Sequence, residues 1–183
     1  MIVAVEYTPN PRTRKFLPGT HLSSVPREFT ARGQSGDKLI DALLDISDVQ
    51  TVLVNEDAIS VTLGDETSWS RLASEIRALI ADQISPDFLR SAAATEEIAE
   101  TDFDEIDATV VATIRDLIDT RIRPAVARDG GDIVFRSFRD GVLGLEMRGA
   151  CSGCPSSSAT LKQGVQNLMR YFVPEVREVI EVA

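Results

Sequence analysis

Two thiols are the residues of this sequence best suited to chemistry. Cys151 and Cys154 are its only cysteines, and they lie in the run Arg148-Gly149-Ala150-Cys151-Ser152-Gly153-Cys154-Pro155-Ser156-Ser157. Two thiols with two residues between them can hold one metal centre from one side. They cannot close a four-thiolate site alone, and structural zinc and iron–sulfur clusters generally take four protein ligands. The chain therefore supplies half a site. Either a second copy or a partner completes it, or the pair does redox chemistry instead.

The local pattern places the pair between the end of a strand and the start of a helix. Helix N-termini carry unpaired amide donors and partial positive charge, which favour thiolate over thiol. Pro155 suits the first helical position, where its missing N–H is no loss. Gly149 and Gly153 allow unusual backbone angles and close approach to a bulky inorganic ligand. Three readings follow: a thioredoxin-like thiol–disulfide oxidoreductase, a zinc-linked structural dimer, and an iron–sulfur cluster shared between two chains. The first needs a further pair of strands and a helix, whereas 29 residues (183 less 154) follow Cys154. The single histidine, His21, lies far away in the sequence and reads as a surface residue.

The elements that must position this loop read as follows. Asp102-x-x-Glu105 resembles a capping box, and Ile106, Val110, Ile114, Leu117 and Ile118 form the apolar stripe of a helix ending near Pro124 or soon after. Asp129-Gly130-Gly131-Asp132 is a tight turn, since it lacks the Lys-Ser/Thr ending of a phosphate loop. Arg121, Arg123 and Arg128 read as a solvated helix face. Ile133 to Arg136 and Val142 to Arg148 flank Asp140-Gly141, a strong hairpin signal. Leu143, Leu145 and Met147 share one strand face. After the cysteines, Leu161, Val165, Leu168, Met169 and Phe172 mark a helix that Pro174 stops, and Val176 to Val182 reads as a last strand.

The first part of the chain has no such loop. Ile2 to Thr8 reads as a strand, with an irregular strand after it. Asn10, between two prolines, reads as turn chemistry. Leu39, Ile40, Leu43 and Leu44 mark a helix, and Val49 to Val54 with Ala58 to Leu63 a hairpin. Trp69, Leu72, Ile76, Leu79 and Ile80 mark an amphipathic helix with Thr67 or Ser68 as cap, and Trp69 reads as core. The fold class is therefore α+β: two small α+β domains, 1–86 and 103–183, joined by an acidic linker at 87–102. Those segments carry −4, −2 and −4 of the net charge of −10, so acidity concentrates in the linker. Such a balance argues against nucleic-acid or anionic-membrane partners. No secretory signal and no run of about 20 apolar residues is present, which points to a reducing, non-membrane setting.

Taken together, Arg123-Pro124, Arg128-Asp129-Gly130-Gly131-Asp132, Asp140-Gly141, Gly149-Ala150-Cys151-Ser152-Gly153-Cys154-Pro155, Thr160-Leu161-Lys162 and Pro174-Glu175-Val176 resemble the Nfu domain, the C-terminal module of NifU, over residues 103–183. Thr8-Pro9-Asn10-Pro11, Lys15-Phe16, Pro18-Gly19, Val52 to Leu63 and Trp69 resemble the N-terminal domain often joined to it. The resemblance implies an iron–sulfur cluster scaffold or carrier without substrate turnover. It implies Cys151 and Cys154 as cluster ligands and a homodimer bridged by one [4Fe–4S] cluster, with [2Fe–2S] left open. It also implies iron–sulfur assembly proteins and apo iron–sulfur enzymes as partners. A bacterial cytoplasm is expected, or a mitochondrial matrix if a transit peptide was removed.

Overall fold

Strands form where apolar side chains recur every second residue, and helices where they recur every third or fourth. The computed structural model describes residues 2–31, 35–84, 102–152 and 155–182. Residues 87–101 of the acidic linker lie outside the described residues. The chain divides into two compact units, Met1–Glu96 and Glu97–Ala183, each with helices and a sheet. The fold class is α+β.

In the first unit, β1 (Ala4–Tyr7), β2 (Thr13–Leu17), β3 (Arg27–Phe29), β4 (Val49–Val54) and β5 (Ile59–Leu63) form one sheet. Its order is β1-β2-β5-β4-β3, antiparallel throughout. Two short strands, β2 and β3, stand where one irregular strand was expected. Asn10 is a turn residue as read: its side-chain oxygen accepts the Arg12 N–H at 3.0 Å. α1 (Lys38–Leu44) starts where the Asp37 carboxylate accepts from Leu39 N at 2.8 Å and Ile40 N at 3.4 Å.

α2 (Trp69–Gln83) buries Trp69, Leu72, Ile76 and Ile80 against Phe16, Val52, Val61 and Leu63 of the sheet. Each such side chain contributes roughly 1.5–3 kcal/mol by leaving water. Trp69 is core as read, and its indole N–H donates to the Arg12 carbonyl at 3.1 Å. The expected Thr67 or Ser68 cap is not the one used. A 3-10 turn at Glu66–Ser68 precedes α2, so the unpaired amides come earlier and Asp65 caps them, accepting from Thr67 N at 2.8 Å.

The second unit holds β6 (Asp102–Phe103), β7 (Gly131–Arg139), β8 (Val142–Gly149) and β9 (Glu178–Glu181) in the order β6-β7-β8-β9. β7 and β8 are an antiparallel hairpin, whereas β6 and β9 lie parallel to their neighbours. α3 (Ala108–Leu117), α4 (Arg123–Arg128) and α5 (Pro155–Phe172) complete it. Val111, Ile114, Val126, Val165 and Met169 share one core with Ile133, Phe135, Leu143, Leu145 and Val179.

The expected capping box at Asp102-x-x-Glu105 does not form. Asp102 belongs to β6, and its carboxylate accepts from Arg139 Nε at 2.8 Å. The chain enters α3 through a 3-10 turn at Glu105–Asp107, which shifts the helical phase. Ile106 is therefore 90% exposed, and Val111 takes the inward place. The helix passes Pro124 and ends at Arg128, by way of a π stretch at Ile118–Ile122. Pro124 has no N–H for the i−4 carbonyl, and the Arg123 N–H instead reaches Ile118 O, five residues back. Among the described residues no helix is long and apolar enough to cross a membrane.

Candidate metal centre

The cysteine loop is positioned by the β7–β8 hairpin. Asp140 at φ 50° and Gly141 at φ 76° make its tight turn, as the Asp-Gly pair signalled. That turn sets a register in which Gly131 faces Gly149 at the far end. The Asp129-Gly130-Gly131-Asp132 turn and the cysteine loop thus become neighbours. The Ala150 N–H donates to Gly130 O at 3.1 Å, and Cys151 N to Arg148 O at 3.3 Å. Ser152 closes the loop, donating from N and from Oγ to Gly149 O at 3.1 and 2.9 Å. Gly149 turns with φ 61°, in the left-handed region.

Cys151 does not face solvent. It is 6% exposed and belongs to the core of the second unit. Its Sγ packs against Gly131 so closely that a Cβ there would lie 2.4 Å from the sulfur. Burial pushes the Cys151 thiol up to about 12, and Asp129, Asp132 and Glu181 push it the same way. The expectation that the helix start favours thiolate is not met at this residue. Desolvation first, and then three nearby carboxylates, favour the protonated form of this inward-facing sulfur. Cys154 and Gly153 lie outside the described residues.

Behind the loop sits a polar support that the sequence reading missed. Asp132 is 1% exposed, and its carboxylate accepts from Arg123 Nε at 2.9 Å. Arg123 also donates to Asp119 Oδ1 at 2.6 Å and to Ile133 O at 3.1 Å. Burial raises the Asp132 carboxyl above its ordinary value, opposed by Arg123, the Ile133 amide and Arg148. Arg123 is therefore a brace between helix and sheet, not part of a solvated face. Arg121 is not plain solvated charge either, since its guanidinium lies over the Phe172 ring at 4.7 Å. One signal was available: Asp132 opens a strand whose next residues, Ile133, Val134 and Phe135, are apolar. An acid at such a place needs a base.

Along β8, Glu146 links Arg148, at 2.6 Å, and Arg136. Burial pushes Glu146 up, but the hydrogen bonds and charges of these two arginines hold it below the ordinary glutamate value. Among the described residues no three histidine, cysteine or carboxylate side chains converge on a metal position. His21 belongs to the first unit, exposed, 3.8 Å from Glu56. The described donor set around Cys151 is thus one soft thiol with an amide-rich loop. That fits one corner of a thiolate-held metal or cluster once the sulfur turns outward and loses its proton.

Comparison with known proteins finds a family match for each of the two units. The family model described as "NifU-like domain" matches residues 114–180, and "Scaffold protein Nfu/NifU N terminal" matches residues 3–87. NifU-like protein 4, mitochondrial, of Arabidopsis thaliana is 41% identical over 186 residues, covering 98% of this chain and 65% of that protein. The NFU1 iron-sulfur cluster scaffold homolog, mitochondrial, of Homo sapiens is 38% identical over 188 residues, covering 100% of this chain and 72% of that protein. Its Drosophila ananassae namesake is also 38% identical, with 64% of that protein covered and 100% of this chain. The chain thus spans slightly under two thirds of the fly and plant proteins.

Proposed function

The chain belongs to the Nfu family, with an Nfu/NifU N-terminal domain ahead of a NifU-like domain, and on that premise we propose that it is an iron–sulfur cluster scaffold. Cys151 and Cys154 are the ligands. Each copy supplies two thiolates, and two copies supply the four that a [4Fe–4S] cluster takes. The observation that carries this reading is the thiol count. The chain has two cysteines, both falling in the sequence between the end of β8 and the start of α5, and so presents half of a four-thiolate site.

The cluster is cargo. Loading requires Cys151 to leave its packing against Gly131, and each thiol that binds iron releases one proton to solvent. Delivery is ligand exchange: thiolates of an apo iron–sulfur protein replace those of the carrier. Separating two chains removes half the ligands at once, so a shared cluster is easy to release. No substrate is turned over.

In this reading residues 103–183 hold the cluster, 87–102 are an acidic spacer, and 1–86 are a partner-binding or regulatory module. Iron–sulfur assembly proteins load the chain and apo iron–sulfur enzymes unload it. The mitochondrial names of the relatives support a mitochondrial matrix setting, with a bacterial cytoplasm as the other. Anaerobic reconstitution with iron and sulfide tests the proposal. A brown protein absorbing near ~400 nm, with about four irons per two chains, is expected. Cys151→Ser and Cys154→Ser should each abolish it. Stoichiometric zinc that excludes iron, or efficient disulfide turnover without colour, would overturn it.

A further inference from the structure

The first unit carries a groove that the cysteine chemistry does not use. It opens between α1 and α2 with a volume of about 960 Å³. α1 spends Leu39, Ile40 and Leu43 on the core, and α2 spends Leu72, Ile76 and Ile80. Leu72 also reaches the groove, and the other lining residues lie on and beside the two helices outside the core. Its floor is apolar, with Ile46, half-buried, from the end of α1 and Leu79, half-buried, from α2. Its rim is acidic: Asp45, Glu75 and Asp82 are all exposed, and Arg71 is the one base among the lining residues.

We propose that this groove docks an amphipathic helix of a partner protein whose apolar stripe is flanked by lysines or arginines. The lining of α2 runs from Arg71 to Asp82, about 17 Å of helix at 1.5 Å per residue. That length accepts three turns of a partner helix, laid in as apolar anchors at i, i+3, i+4 and i+7. The charge pattern selects the partner. Bases beside the stripe meet the three rim carboxylates, and acids there meet repulsion. It also argues against a second copy as occupant, because each chain carries a net −10 and would bring more acid to an acidic rim.

The groove lies in the unit without cysteines, so it can be tested apart from cluster loading. The probes are three designed 14-residue helical peptides with one leucine stripe, flanked by lysine, glutamine or glutamate. Amide shifts of the full isotope-labelled chain report both affinity and location. The lysine peptide should bind best and the glutamate peptide not at all, with shifts centred on Ile46, Leu72 and Leu79. The exposed double variant Asp45→Lys/Asp82→Lys should weaken the lysine peptide about tenfold and strengthen the glutamate one. Leu79→Ser should weaken every peptide. Shifts that map elsewhere, affinities indifferent to the charge reversal, or chains that pair with each other through this groove in sedimentation would each overturn the proposal.

Discussion

A buried cysteine packed on glycine should react slowly, and the structure sets how slowly. Burial takes Cys151 from an ordinary 9.0 to about 12. At pH 8 an ordinary thiol of that kind is about one tenth thiolate, and one at 12 about one part in ten thousand. The thiolate population thus falls about a thousandfold. A more basic thiolate is intrinsically more nucleophilic, with a Brønsted slope of about 0.45, which returns about a factor of twenty over three units. The net slowing is about fiftyfold before any steric term. Packing of Sγ against Gly131 adds to it, because attack requires the loop to open. The assay is the reaction of the Cys154→Ser variant with Ellman's reagent, native against denatured. A native rate at least fiftyfold below the denatured one at pH 8, still climbing beyond pH 10, is expected. A native rate within a few-fold of the denatured rate would refute the inward placement.

Other changes should register in the same loop. Gly131→Ala puts a methyl 2.4 Å from Cys151 Sγ and 2.9 Å from Arg148 O, so it should cost about 1–3 kcal/mol in urea unfolding and speed Cys151 labelling. Arg123→Met leaves Asp132 buried without its base and should cost about 3 kcal/mol, while adding Asp132→Asn should recover much of that. A thiol that holds its proton longer when folded gives stability that is complete below pH 9 and lost as pH rises toward 12. Wild-type protein should therefore lose about 1 kcal/mol per pH unit near pH 10–11 that Cys151→Ala does not lose. Asp37→Ala should lower stability by about 1 kcal/mol through loss of the α1 cap.

Features set by neighbouring residues were legible in the sequence. Asp140-Gly141 sets its own backbone angles, and the Leu143, Leu145 and Met147 alternation follows from the pleat. Features set across the fold were not. Asp102 looked like a cap because Glu105 stands three residues on, yet Arg139, 37 residues away, claims its carboxylate. Ile106 matched a helical stripe in spacing, but the 3-10 turn before α3 rotates it outward. The site divides in the same way. The spacing of Cys151 and Cys154 is a pattern of the sequence. The inward face of Cys151 depends on Gly131 across the hairpin register, and the loop's brace on Arg123 meeting Asp132 between helix and sheet.

In the proposed function Cys151 and Cys154 form half of a cluster site that a second copy completes. Native mass spectrometry of anaerobically reconstituted protein tests it most directly. One species with the mass of two chains plus one [4Fe–4S] cluster is expected, falling apart to apo monomers when a chelator removes the iron. A cluster or metal held by a single chain, or a cluster-loaded dimer that survives Cys151→Ser, would contradict it.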